Sequence, residues 1–222
     1  LCDDIDFSPD AFRFMDWRAG HVAGVPARVF RISFTGELSY EINVPAGYGL
    51  HVWQALFDRG NRYGLTPYGT ETMHVLGAEN GFIFVGQDTD GSVTPADLGM
   101  HWCVANNKPF SFIGKRGMQR EDCLREDRKQ LVGIETLDPA VVLPEGAQAV
   151  DDPNQPIPMR MIGHITSSYF SPTLDRSIAL ALIRGGATRH GETIHFPLAD
   201  GRQIAATIRD SVFLDPDNQR QA

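Results

Sequence analysis

The sequence predicts an α+β lobe over residues 1–125 followed by a small antiparallel β-barrel over residues 126–222. Three observations carry this. The first half mixes two-residue alternation with apolar residues at helical spacing. The second half holds only short β-rich runs, punctuated by Gly, Pro and Asp clusters. Between them, residues 114–128 are densely charged and read as a surface helix or connector, which places the boundary near Glu126.

The elements follow in order. Leu1 is not a start methionine, and structured-looking sequence begins at once, so the chain is expected to be a piece of something longer. Ser8-Pro9-Asp10 predicts a helix start before Phe12, Phe14 and Met15. Residues 30–45 predict a hairpin about Thr35-Gly36-Glu37, with Phe30, Ile32 and Phe34 inward in one strand and Leu38, Tyr40, Ile42 and Val44 inward in the other. Leu50, Trp53, Leu56 and Phe57, between Pro45 and Gly60, predict a helix. A second is expected over residues 70–78, with Met73 and Leu76 on one side. The apolar run at 82–85 reads as a buried strand or the end of one, and 86–95 as a turn-rich loop. Met118 and Leu124 are candidate anchors of the charged connector. In the second half, strands are expected over 131–137, 161–169, 178–183, 193–196 and 203–208. No internal repeat is present.

Composition excludes several classes. A net charge of −8 disfavours nucleic acid or anionic lipid as the main partner. No apolar run reaches the length of a membrane span, and no secretory signal opens the chain. Cys2, Cys103 and Cys123 form no close pair and would leave one over from any disulfide, so a reducing, cytoplasmic setting is expected.

One residue stands out as a ligand candidate. If Tyr40 and Ile42 face a core, Glu41 stands on the opposite face of its strand, beside Ser39 and Asn43. A carboxylate held on a rigid strand suits a ligand with two adjacent N–H donors, such as the edge of a pterin ring. The other reading is a solvated hairpin face, and the pattern alone favours it. Elsewhere the familiar constellations are missing. Gly185-Gly186 and Gly191 do not form a dinucleotide fingerprint, and no phosphate loop occurs. Asp88-x-Asp90-Gly91 opens like a calcium loop but lacks the later acids, so it reads as a turn. His190 and His195 lack zinc-ligand spacing, and Ser171-Pro172 lacks the G-x-S-x-G frame. No catalytic residue and no metal ligand is assigned.

Several segments together resemble a known family. Phe34-Thr35-Gly36-Glu37-x-x-Tyr40-Glu41-Ile42 is similar to the Tyr-Thr-Gly-Glu-x-x-x-Glu-Ile element of the glycine-cleavage T-proteins. Ala78-Glu79-Asn80-Gly81-Phe82, Gly86-Gln87-Asp88-Thr89-Asp90-Gly91 and Val93-Thr94-Pro95-Ala96-Asp97-Leu98-Gly99 resemble the following helix, loop and Thr-Pro signature. Their form is closest to that in alpha subunits of heterotetrameric sarcosine oxidase. Phe112-Ile113-Gly114-Lys115-Arg116, Gly163-His164-Ile165-Thr166-Ser167 and Ser177-Ile178-Ala179-Leu180-Ala181 carry the likeness into the β half.

The resemblance implies the second part of a folate-binding α+β domain, capped by a C-terminal barrel of aminomethyltransferase type. It implies tetrahydrofolate as cofactor, with Glu41 holding the pterin, Phe34 and Tyr40 beside it, Trp102 along the folate tail and Lys108 near the tail's carboxylate. It implies oxidative demethylation of sarcosine with transfer of the one-carbon unit to tetrahydrofolate, FAD, FMN and NAD lying elsewhere in a hetero-oligomeric assembly. The family's catalytic aspartate would precede Leu1, and the piece alone would be inactive as an oxidase. Alternatives are an aminomethyltransferase of the glycine cleavage system and a folate-binding module without turnover. The T-protein helix carries Arg-Asp where this chain has Met73-His74, and a further Arg at Gly77, which counts against T-protein activity.

Overall fold

The structure, a computed structural model, describes residues 1–221. It contains two compact units: Leu1–Gly77 with the residues from Asp215 onward, and Ala78–Leu214. The boundary expected near Glu126 falls inside the second.

In the first unit, β1 (Trp17–Val22), β2 (Val25–Phe30) and β3 (Glu41–Asn43) form an antiparallel sheet in sequence order. Ala23 and Gly24, at φ 51° and 78°, make the two-residue turn between β1 and β2 that matches strand twist. Val25, Ala27 and Val29 point inward and join Ile5, Phe12, Val22 and Val52 in a core. The first expected strand therefore has the opposite phase. Arg31, not Phe30 or Ile32, continues the inward row. A guanidinium is tolerated there because it donates to the carbonyls of Phe12 at 2.6 Å and Gln221 at 2.9 Å. The second strand keeps its expected phase, since Tyr40, Ile42 and Val44 pack on the core, although Leu38 is exposed. Residues 31–40 form the loop between β2 and β3. Gly36, at φ 77°, supplies its left-handed turn, and Ser33 Oγ donates to Glu37 O at 2.7 Å.

The two expected helices form as α1 (Gly49–Gly60) and α2 (Thr70–Glu79). α1 buries Val52 and lays Leu56 on the same core. The helix expected after Ser8 does not form. The N–H groups of Ala11 and Phe12 close one turn on Ser8 O, and Met15 at φ 70° then leaves the helical region. Phe12 is fully buried nonetheless.

In the second unit, six strands make an antiparallel sheet. They are β4 (Lys129–Thr136), β5 (Gln148–Ala149), β6 (Gly163–Ser171), β7 (Arg176–Arg184), β8 (Thr193–Pro197) and β9 (Gln203–Arg209), in the order β5-β6-β7-β4-β9-β8. Val150 bridges His195 and brings the two edges together, so the sheet is a nearly closed barrel. All five expected strands are present, and β5 is the addition. Val132, Ile134, Ile165, Ile183, Ile194, Phe196 and Ile208 fill the interior. Gly133 is required by close packing, since a Cβ there would lie 2.1 Å from Asp210 O. Opposite β7, the register of β6 shifts between Ile165 and Ser167, so Thr166 is the extra residue of a bulge.

Two further expectations are corrected. Residues 82–84 are irregular rather than a strand, and Val85, 88% exposed, opens a turn. Gly81 at φ 67° and the Phe84 N–H, held by Asp88 Oδ2 at 2.8 Å, curl this run away from extended geometry. The charged connector holds only short 3-10 turns, Gly117–Gln119 and Glu121–Leu124, and Leu124 is exposed rather than an anchor. Among the described residues, no helix is long and apolar enough to cross a membrane, and all three cysteines are free.

Candidate functional site

The outer face of the first unit's sheet carries the strongest candidate. Glu41 pairs across the strands with Phe30, and Phe30 pairs with Trp17. Directly opposed residues share a face, so Trp17, Phe30 and Glu41 stand in one row. The Trp17 and Phe30 rings lie 6.2 Å apart at 28°. Trp17 is 53% exposed. The Glu41 carboxylate is half-buried and has no hydrogen-bond or ion-pair partner among the described residues. Arg28 and Asn43 form the neighbouring row of the same face. A free carboxylate next to an aromatic platform can hold the N–H edge of a flat heterocycle while its apolar area rests on the rings.

The sequence-predicted residues separate by role and place. Phe34 sits in the β2–β3 loop and is 54% exposed. The Tyr40 ring is committed to the core, 5.1 Å from Phe7 and 5.6 Å from Phe12. Trp102 and Lys108 belong to the second unit. Trp102 lies in a short 3-10 turn, His101–Cys103, and is 75% exposed. Lys108 Nζ stands over the rings of Phe110 and Phe112 at 5.8 and 5.7 Å. Trp17 and Phe30 were missed as site residues. The signal was available in Val25-x-Ala27-x-Val29, which fixes the phase of β2 and turns Phe30 outward.

A charged hollow in the second unit is lined by Asp90, Asp97, Asp122, Arg128, Lys129 and His164 among others. Its charges largely satisfy each other. Arg128 donates to Asp97 Oδ1 and Oδ2 at 2.8 Å, to Asp122 Oδ2 at 2.7 Å and to Ser92 O at 2.6 Å. Burial pushes the His164 imidazole below its ordinary value, and Lys129 adds to this while Asp90 opposes it. The loop acids also divide. Asp88 is wholly buried and accepts from Thr166 Oγ1 and Ser167 Oγ, both at 2.5 Å, whereas Asp90 accepts from Ser92 N at 2.7 Å in a local turn. This network fastens the loop over 84–97 to the barrel.

A partial α+β unit and a nearly closed antiparallel barrel define a protein of the aminomethyltransferase-like fold. The sequence matches the GCVT N-terminal domain over residues 1–108 and the glycine cleavage T-protein C-terminal barrel domain over residues 129–215. The chain belongs to the glycine-cleavage T-protein family. Over its whole length it is 48% identical to sarcosine oxidase subunit alpha of Corynebacterium sp. (strain P-1), of which it spans 23%. Over 78% of its length it is 33% identical to an aminomethyltransferase of Thermoanaerobacter pseudethanolicus (strain ATCC 33223 / 39E), of which it spans 45%. The crystal structure of the glycine cleavage system aminomethyltransferase T from Bartonella henselae has the same fold, with a TM-score of 0.76 at 21% identity. That match covers 93% of this chain and 54% of the other.

Proposed function

We propose that this chain is the tetrahydrofolate-binding part of a sarcosine oxidase alpha subunit. The carrying observation is the unpartnered Glu41 carboxylate in line with Phe30 and Trp17. Glu41 would accept from the pterin's paired N–H donors and so fix its orientation. The aromatic pair would cover one side of the ring and exclude water there. Phe34 would close the near side of the pocket, and Tyr40, whose ring is in the core on the opposite face, would act only by bracing the strand that carries Glu41. Trp102 would line the folate tail, and Lys108 would attract its carboxylate as a point charge. Tetrahydrofolate supplies the nitrogens that accept the one-carbon unit, giving methylenetetrahydrofolate, with glycine as the demethylated product. The flavin and nicotinamide chemistry of sarcosine oxidation would be carried elsewhere in the assembly, by FAD, FMN and NAD. The 48% identity to a sarcosine oxidase subunit along the whole chain favours this over the aminomethyltransferase reading, for which the identity is 33%.

Titration calorimetry of the full-length protein with tetrahydrofolate tests the reading. Glu41→Ala should weaken binding about 10–100-fold, since a charge-assisted pair is worth roughly 1.5–3 kcal/mol. Unchanged affinity would remove Glu41 from the site. Trp17 offers a second readout. Its fluorescence should be quenched by bound tetrahydrofolate, and Trp17→Leu should reduce that change, leaving the share reported by Trp102, while weakening binding about 3–10-fold. If the quench is undiminished in Trp17→Leu, the platform is misplaced.

A further inference from the structure

The sheet face that bears Glu41 also bears a cation. Arg28 stands two residues from Phe30 on β2 and lies opposite Asn43 of β3. Glu41 is opposite Phe30, so Arg28 and Glu41 are diagonal neighbours on one face. Such positions are roughly 7–8 Å apart, within reach of a long side chain. Val25, Ala27 and Val29 are locked in the core, so the phase of β2 holds Arg28 on this face. On its other side Arg28 faces Ala19 of β1, whose small side chain leaves room above the sheet. Among the described residues, the Arg28 and Asn43 side chains have no hydrogen-bond or ion-pair partner. Both are exposed and border a hollow that they share with Pro26 and Pro45. A guanidinium and a carboxylate thus stand side by side on a rigid sheet without pairing with each other.

We infer that Arg28 is a specificity-determining residue of the pterin site: it donates to the ring carbonyl while Glu41 accepts from the adjacent ring N–H and amino group. The inference rests on the reading of Glu41 as the carboxylate that holds the pterin. Along its edge the pterin presents an amino group, a ring N–H and a carbonyl, two donors followed by an acceptor. Glu41 satisfies the donors and leaves the carbonyl oxygen unpaired. A donor at the diagonal position supplies what is left. A single carboxylate also leaves the ring free to lie on either face, because the amino group and the ring N–H can exchange places on its two oxygens. Arg28 on one flank removes that symmetry and draws the carbonyl to its side. Fixing the face fixes where the ring nitrogen next to the carbonyl points, and that nitrogen takes the one-carbon unit. A permanently charged fork suits this role, since it cannot be neutralised and offers more than one N–H to the oxygen. The same fork rejects a ring that carries a donor there, because two donors would face each other.

Titration calorimetry of the full-length protein with two ligands tests the inference. One is tetrahydrofolate, and the other is its analogue with an amino group in place of the ring carbonyl. The analogue keeps the amino group that Glu41 holds but presents a donor to Arg28. The wild type should prefer tetrahydrofolate about 100-fold. Arg28→Met should weaken tetrahydrofolate about tenfold and strengthen the analogue, so the preference should shrink to about tenfold or less. Arg28→Lys, which keeps the charge without the fork, should fall between the two. Melting temperatures should stay at the wild-type level, because Arg28 has no partner within its unit. The inference is overturned if the wild type binds the two ligands alike, or if Arg28→Met keeps the wild-type preference. The latter is the result expected if a carboxylate outside residues 1–222 takes the guanidinium. Glu41→Ala separates this failure from that of the underlying reading. If it weakens both ligands while Arg28→Met leaves the preference intact, the role of Arg28 alone falls. If neither ligand responds to Glu41→Ala, the pterin does not lie on this face and both readings fall.

Discussion

Arg128→Ala should destabilise the second unit by about 3–5 kcal/mol, because it leaves a buried carboxylate without its cation. Asp97 is 4% exposed, and Arg128 grips both its oxygens. Thr94 adds an N–H and a hydroxyl donor to Oδ2, each at 2.8 Å. Burial raises the Asp97 pKa, but the hydrogen bonds and charge of Arg128 together with those of Thr94 outweigh it, and the net position is below the ordinary carboxylate value. The unfolded chain then binds the proton more readily than the folded one. The stabilisation is complete above about pH 4 and is lost as pH falls through the lowered folded-state value. Urea denaturation at neutral pH should show the full loss in Arg128→Ala, and the variant's acid unfolding should begin at higher pH than the wild type's. A loss below about 1 kcal/mol would mean that water replaces Arg128 without cost.

Asp88→Ala should cost about 3 kcal/mol or more. It removes the buried acceptor of the Ser167 hydroxyl and the side-chain acceptor of the Phe84 N–H, leaves Thr166 Oγ1 with the longer bond to Leu180 O at 3.2 Å, and opens a cavity. The bulge explains the geometry. Thr166 and Ser167 are consecutive, and on a regular strand they would face opposite sides. The register shift at Thr166 lets both reach one carboxylate. Asp88→Asn keeps one acceptor oxygen and should cost less than the alanine variant. Limited proteolysis should cut within residues 84–90 in Asp88→Ala before the barrel melts. Wild-type resistance of that loop would show that other contacts hold it.

The barrel was legible in the sequence because its strands are short apolar runs between Gly, Pro and Asp clusters. β7 is the extreme case, buried from Ser177 to Ile183. β1 left no signal. Its inward positions carry Arg18 and Gly20 beside Val22, so the pleat has no apolar period to read. Arg31 misled in the other direction, because a charge facing the core is satisfied only by carbonyls that the sequence does not bring near it. The run at 82–85 failed as a strand because hydrophobicity says nothing of the Asp88 side chain that bends it. Within the candidate site, Glu41 was readable from Tyr40, Ile42 and Val44, which fix its face. The outward face of Phe30 was readable from Val25, Ala27 and Val29, but its place beside Glu41, and that of Trp17, was not, because it depends on where the β2–β3 loop begins.

The residues from Asp215 onward return to the first unit. Gln221 O receives Arg31, and Arg220 reaches Glu37 at 2.8 Å. A ribosome therefore delivers the two units in an unexpected order of completion. Residues 78–214 emerge as one uninterrupted stretch and can close their barrel while translation continues. The first unit is begun earlier, yet its bonds from Arg31 to Gln221 O and from Arg220 to Glu37 wait until residues 220 and 221 leave the exit tunnel. Its β2–β3 loop, tied at Arg31 and Glu37, is set last, so the face that bears Glu41 is among the final parts of this stretch to mature.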